Sequence, residues 1–90
     1  MEVIVTKTFT KQFLRCPKNV QEDAKNIITS LETSKSIFDI KDIEKLTGFK
    51  IYYRARIGQY RIVIKKVSPK ILLVCIMESS QIYKVFPPNQ

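Results

Sequence analysis

The sequence predicts an α+β fold: a short opening strand, two helices, then three to four antiparallel strands forming one sheet with the helices packed on one face. Three observations carry this. Apolar residues recur at helical spacing between residues 9 and 31, the period changes to two from Lys50 onward, and turn residues punctuate the second half at Gly58 with Gln59 and at Ser68 with Pro69. Ninety residues, 44% of them hydrophobic, suffice for one compact core, so residues 1–90 read as a single domain.

The opening "EVIVTKTF" is β-branched and predicts a strand over residues 3–6. Phe9 and Phe13, four apart, predict a brief helix that stops at Cys16 and Pro17, because a residue before proline disfavours the helical region. Val20, Ala24, Ile27, Ile28 and Leu31 then form the apolar stripe of a second helix, with Glu22, Lys25, Asn26 and Ser30 outward. Between residues 32 and 48 two readings stay open: Asp39 caps a single turn running through Glu44 and ended by Gly48, or the segment is irregular.

From Lys50 the alternation is that of a strand, with Ile51, Tyr53, Ala55 and Ile57 on one face and Lys50, Tyr52, Arg54 and Arg56 on the other. Gly58 and Gln59 make a tight turn, and residues 60–67 return as the second strand of a hairpin. "ILLVCIM", residues 71–77, is apolar on both faces. A central strand has that character when helices cover one side and loops or a partner cover part of the other. "QIYKVF", residues 81–86, predicts a short last strand before "PPNQ".

The chain has 16 Lys and Arg against 8 Asp and Glu, a formal charge of +8, and the excess is concentrated. Between Lys45 and Met77 there are basic residues and no acid, whereas all the acids but Glu78 precede Lys45. Such a balance suits a polyanion or an acidic protein partner. With no histidine and two distant cysteines, Cys16 and Cys75, no metal site is expected and no cofactor is implied. The thiols are expected to be reduced. "MEVIVTKTF" lacks a basic leader followed by a long apolar core, and no apolar run is long enough to span a bilayer, so a cytoplasmic protein without a membrane partner is expected.

Arg54 and Arg56 share a parity with Tyr52, and Arg61 shares one with Lys65 on the returning strand; whether the two sets lie on the same face depends on the register. A charged outer face built for solubility is the competing reading, but such faces ordinarily mix signs, and like charges on adjacent strands repel. Together, Lys50, Tyr52, Arg54, Arg56, Arg61 and Lys65 would form an RNA-binding platform: guanidiniums for phosphate, tyrosines for stacking. RNA scission needs the 2′-oxygen driven at phosphorus, charge stabilised on the phosphorane and a proton for the leaving oxygen. Without histidine these tasks fall to Arg, Lys and Tyr.

Four words of the sequence, in order, resemble the RelE/ParE superfamily of toxins from type II toxin–antitoxin systems: the phenylalanines and proline from Phe9 to Pro17, "KLTG" at 45–48, "YRARIGQYRIVI" at 53–64 and "IYK" at 82–84. The resemblance implies a metal-free, ribosome-dependent mRNA endoribonuclease, with the ribosome, mRNA and a cognate antitoxin as partners. It implies Arg61, Tyr83, Arg54 and Arg56 as catalytic residues: Arg61 on the scissile phosphate, Arg54 and Arg56 on the RNA backbone, and Tyr83 on the 2′-hydroxyl. The same resemblance leaves open a ParE-like toxin that binds DNA gyrase without nuclease chemistry, and an attenuated member that binds only RNA or antitoxin. Structural roles compete for two residues: a salt bridge from Arg61 to Glu44 or Glu78, and an amphipathic anchor for Tyr83. Glu78 and Ser79 stand where many relatives carry a basic pair, and arginine replaces lysine in "YRAR". An acid at that place would repel phosphate unless paired.

Overall fold

The structure, a computed structural model, describes residues 1–46 and 50–85, excepting the side chains of Tyr83 and Val85. Strand β1 (Glu2–Val5) leads into α1 (Lys7–Leu14) and α2 (Lys18–Thr33). A 3-10 turn (Ile37–Asp39) follows, then β2 (Ile43–Lys45), β3 (Tyr52–Ile57), β4 (Tyr60–Val67), β5 (Lys70–Glu78) and α3 (Ser79–Val85). The sheet order is β1-β5-β4-β3-β2, antiparallel except that β1 runs parallel to β5. The predicted fold class is the observed one: the helices carry the chain from β1 at one edge to β2 at the other, and the strands then run back across the sheet until β5 lies parallel to β1.

Thr6 makes the change from strand to helix. Its Oγ1 accepts from the Phe9 N–H (3.1 Å), the N-cap bond of α1, and donates to Leu73 O (2.8 Å) on β5. Where β1 stops, α1 takes over the β5 edge: the Ile76 N–H donates to Gln12 Oε1 (2.9 Å), so a strand amide beyond the last β1 partner is satisfied by a helix side chain. Phe9, Val20, Ala24 and Leu31 bury the helical stripe against Tyr53, Ala55, Ile57, Ile62, Ile64, Ile71, Leu73 and Ile76. This is the main core.

The opposite face carries a second, smaller cluster. Val63 and Cys75 pair across β4 and β5 and are covered by Ile82 of α3. The segment predicted as a last strand over residues 81–86 is therefore helical over Ser79–Val85, and Phe86 lies outside the described residues. Its Ile82 and Val85, three apart, fit a helical period and not a strand's period of two, and the apolar pair Val63 and Cys75 gives Ile82 its seat. A β-bulge in β5 makes both clusters possible. Ile64 pairs with Leu73 and Val63 with Cys75, so Val74 is extra; Ile71 and Leu73 face the helices before it, and Ile76 does so after it.

Between α2 and β3, where the sequence leaves open a turn capped by Asp39 or an irregular segment, there is a 3-10 turn capped by Ser36, whose Oγ accepts from the Phe38 N–H (3.2 Å), and Asp39 ends it. Residues 43–45 then pair with β3 as an edge strand the sequence pattern does not announce. Gly48, the expected end of the turn, lies outside the described residues. The hairpin turn holds as predicted. Ile57 pairs with Tyr60, and Gly58 is at φ +55° while Gln59 keeps a negative φ, the type II′ arrangement that follows strand twist.

Candidate functional site

The register of the hairpin answers what parity alone leaves open. Tyr52 pairs with Lys65, Arg54 with Val63 and Arg56 with Arg61, so Tyr52, Arg54, Arg56, Arg61 and Lys65 lie on one face, the face that also carries α3. Lys65 Nζ stands 5.9 Å from the centre of the Tyr52 ring, a cation over an aromatic face. Lys50 is exposed but sits in a turn before β3, as does Ile51, which is 42% exposed rather than part of the inner row. The strand begins two residues later than its alternation suggests, although the Lys66 N–H still donates to Ile51 O (2.7 Å).

Arg56 and Arg61 are directly opposed like charges, an arrangement that destabilises a sheet unless each finds an acceptor. Each does. Arg61 Nη1 donates to Gly58 O (2.7 Å) and Tyr60 O (2.8 Å), wrapping the guanidinium onto the turn it follows. The salt bridge considered for Arg61 is not formed with either acid among the described residues; Glu44 pairs instead with Arg54 (3.3 Å) and Arg56 (3.7 Å).

Glu78, the acid feared to oppose phosphate, pairs across the sheet with Tyr60 and so has the parity opposite to Arg61. Its charge acts on the Tyr60 phenol, which desolvation first and the Glu78 carboxylate second push above the ordinary tyrosine range, with Cys16 adding to the shift. Tyr60 thus stays protonated near neutrality. Cys75 lies under the arginine face, and burial pushes its thiol up to about 11 against a smaller lowering by the Val63 backbone, which removes it as a nucleophile near neutral pH. Both cysteines are free thiols.

Helix α3 begins at this same end of the sheet. The Ser79 N–H donates to Gln59 O (2.7 Å), tying the start of α3 to the hairpin turn, and Ile82 anchors it on Val63 and Cys75. Tyr83 follows Ile82 on that helix, and its side chain is outside the described set. No group of three or more His, Cys, Asp or Glu able to hold a metal ion occurs among the described residues. Nor is any described helix long and apolar enough to cross a membrane.

Toxin RelE3 of Methanocaldococcus jannaschii is 36% identical over 88 residues, covering 97% of this chain and 100% of that protein. The chain belongs to the RelE toxin family. A chain in the crystal structure of the RelB–RelE antitoxin–toxin complex from Methanococcus jannaschii agrees at 32% identity and a TM-score of 0.82, over 93% of this RelE-family chain and 99% of that one. One in the archaeal RelE–RelB complex from Pyrococcus horikoshii has the same fold, at 23% identity and a TM-score of 0.70 over 86% and 92%. No protein-family model matches the chain.

For this RelE-family member the residues expected on the platform are brought together, except Lys50, which stands at its margin. Sequence reasoning offered Glu44 only to Arg61 and missed its contacts with Arg54 and Arg56. The signal was present but faint: three residues, Ile43 to Lys45, alternate once, and only pairing with β3 turns that into a strand.

Proposed function

We propose that this RelE-family chain is a metal-free, ribosome-dependent mRNA endoribonuclease that inhibits translation in the cytoplasm and is restrained by a cognate protein antitoxin. The observation that carries the reading is the cross-strand register that sets Arg56 opposite Arg61, with Arg54 on the same face and Lys65 over the Tyr52 ring beside them. Arg61, held by the turn carbonyls, binds the scissile phosphate and stabilises the phosphorane. Arg54 and Arg56 hold the flanking backbone and favour ionisation of the 2′-hydroxyl, while Tyr83 orients or deprotonates it. Lys50, Tyr52 and Lys65 extend the RNA track. With no histidine to carry protons, cleavage is slow unless the ribosome presents message already bent for in-line attack.

The likeness to a toxin solved with its RelB antitoxin supports a protein partner, and the +8 charge suits an acidic segment laid across the same face. One observation favours a second reading, a ParE-like toxin acting on DNA gyrase: Glu78 and Ser79 replace the basic pair that many relatives carry. The two separate in one experiment, with purified protein added to translating ribosomes and, in parallel, to gyrase. Cleaved message that is lost in Arg61→Ala and Tyr83→Phe, with folding intact, supports the nuclease. Inhibited supercoiling with intact message rejects it in favour of the gyrase reading.

A further inference from the structure

Among the described residues, Glu44 is the acid that pairs with the arginines of this face; Glu2, the other acid with that parity, is on β1 at the far edge of the sheet. Glu44 stands on the edge strand β2 directly opposite Arg54, and its Oε2 lies 3.3 Å from Nη2 of Arg54 and 3.7 Å from Nη2 of Arg56. Two guanidiniums on neighbouring positions of one face of β3 thus converge on a single anionic oxygen. That is the arrangement in which they would grip a phosphate oxygen.

The carboxylate is not held there by burial, since its side chain is 56% exposed, as is that of Arg56, while Arg54 is at 29% the more enclosed of the two partners. Exposed pairs of this kind contribute little net stability, so the contact is readily exchanged for a stronger one. We infer that Glu44 is a positioning residue that stands in for phosphate in the free protein: it holds Arg54 and Arg56 side by side and yields them when an RNA phosphate arrives. This rests on reading the face as RNA-binding.

Two consequences follow for selectivity. In the free protein the carboxylate offsets the repulsion between like charges on one strand face and keeps two long side chains ordered. It also sets a threshold: an isolated anion must displace Glu44 for a single contact, whereas a strand with successive phosphates engages Arg61 and Lys65 at the same time. Glu44 therefore weakens binding overall while favouring a polyanion over single phosphates.

The test uses the full chain and a short fluorescein-labelled uridine oligomer, with anisotropy titrations over a salt series. Four proteins are compared: wild type, Glu44→Gln, Arg56→Ala, and Glu22→Gln, which removes a charge from the exposed side of α2 on the other side of the sheet. Glu44→Gln is expected to bind about three- to tenfold tighter, with Glu22→Gln within about twofold of wild type because a remote charge is screened. Because the same phosphates are held once Glu44 has yielded, the slope of log K against log salt should stay within about 0.7, one phosphate on a single strand, of wild type in Glu44→Gln. Its melting temperature should match wild type. Equal or weaker binding by Glu44→Gln, or a gain matched by Glu22→Gln, overturns the inference while wild-type binding weakened by Arg56→Ala keeps the RNA-binding reading. If wild type does not bind, or Arg56→Ala binds as well, the reading of the face falls and the inference with it.

Discussion

Arg61→Lys preserves charge, side-chain length within about a bond and the strand position, so it isolates what the guanidinium shape contributes. In the structure both bonds to the turn carbonyls use Nη1, and among the described residues no partner takes the edge formed by Nε and Nη2. One end of the group is thus fixed on Gly58 and Tyr60 while a bidentate edge remains for phosphate. An ammonium cannot do both, because its three donors diverge from one atom. The substitution forfeits one charge-assisted bond to the developing phosphorane, worth about 2–3 kcal/mol, which is roughly 30- to 150-fold in rate. Single-turnover cleavage of message on programmed ribosomes measures it. Urea unfolding should place Arg61→Lys within about 0.5 kcal/mol of wild type, since the side chain is not part of either core. A lysine variant that cleaves within about threefold of wild type would refute the assignment of Arg61 to bidentate phosphate binding.

Three further outcomes test the scaffold. Ile82→Ala empties the cover over Val63 and Cys75 and should cost about 2–4 kcal/mol in denaturant unfolding; a loss below about 1 kcal/mol would mean that α3 is not packed on that face. Thr6→Val keeps the shape but removes both the N-cap acceptor and the donor to Leu73 O, a loss of about 1.5–2.5 kcal/mol that Thr6→Ser should largely restore. The Cys75 thiol, raised from near 9 to about 11, stays protonated in the fold after it has ionised in the unfolded chain. The unfolded state therefore binds fewer protons in that window, and stability should fall as pH rises from about 9 to about 11, less steeply in Cys75→Ala; a profile unchanged by that substitution would count against the burial of the thiol.

The sequence pattern was most informative where one rule acted alone. The strands on either side of Gly58 are set by a period of two and a turn that needs a positive φ, and the structure keeps both to within a residue or two. The helical stripe from Val20 to Leu31 is likewise buried where its period puts it. Legibility ends where tertiary partners decide. Ile43 to Lys45 becomes a strand because β3 offers an edge, and "QIYKVF" becomes helical through Val85 because an apolar pair on the sheet needs a cover. For the candidate site, residue types and parity were visible, but the meeting of Arg56 with Arg61 depends on register, and Glu44's partners depend on a strand too short to announce itself.

The extra residue at Val74 has a reach beyond its own strand. It behaves as a phase shifter: upstream of it the odd-numbered side chains of β5 belong to the main core, and downstream the odd-numbered Cys75 and Met77 belong with the arginine face. The helix that carries Tyr83 grows directly from that downstream segment, so its seating is timed by an event five residues before it starts. Were the same residues run through a regular ladder with no bulge, Val74 would fall opposite Val63, Cys75 opposite Ile62 and Ile76 opposite Arg61, turning Ile76 out of the main core and moving Ile82 off the pair it covers. The register of β5 between Leu73 and Ser79 is then as much a determinant of the site as any basic residue on the arginine face.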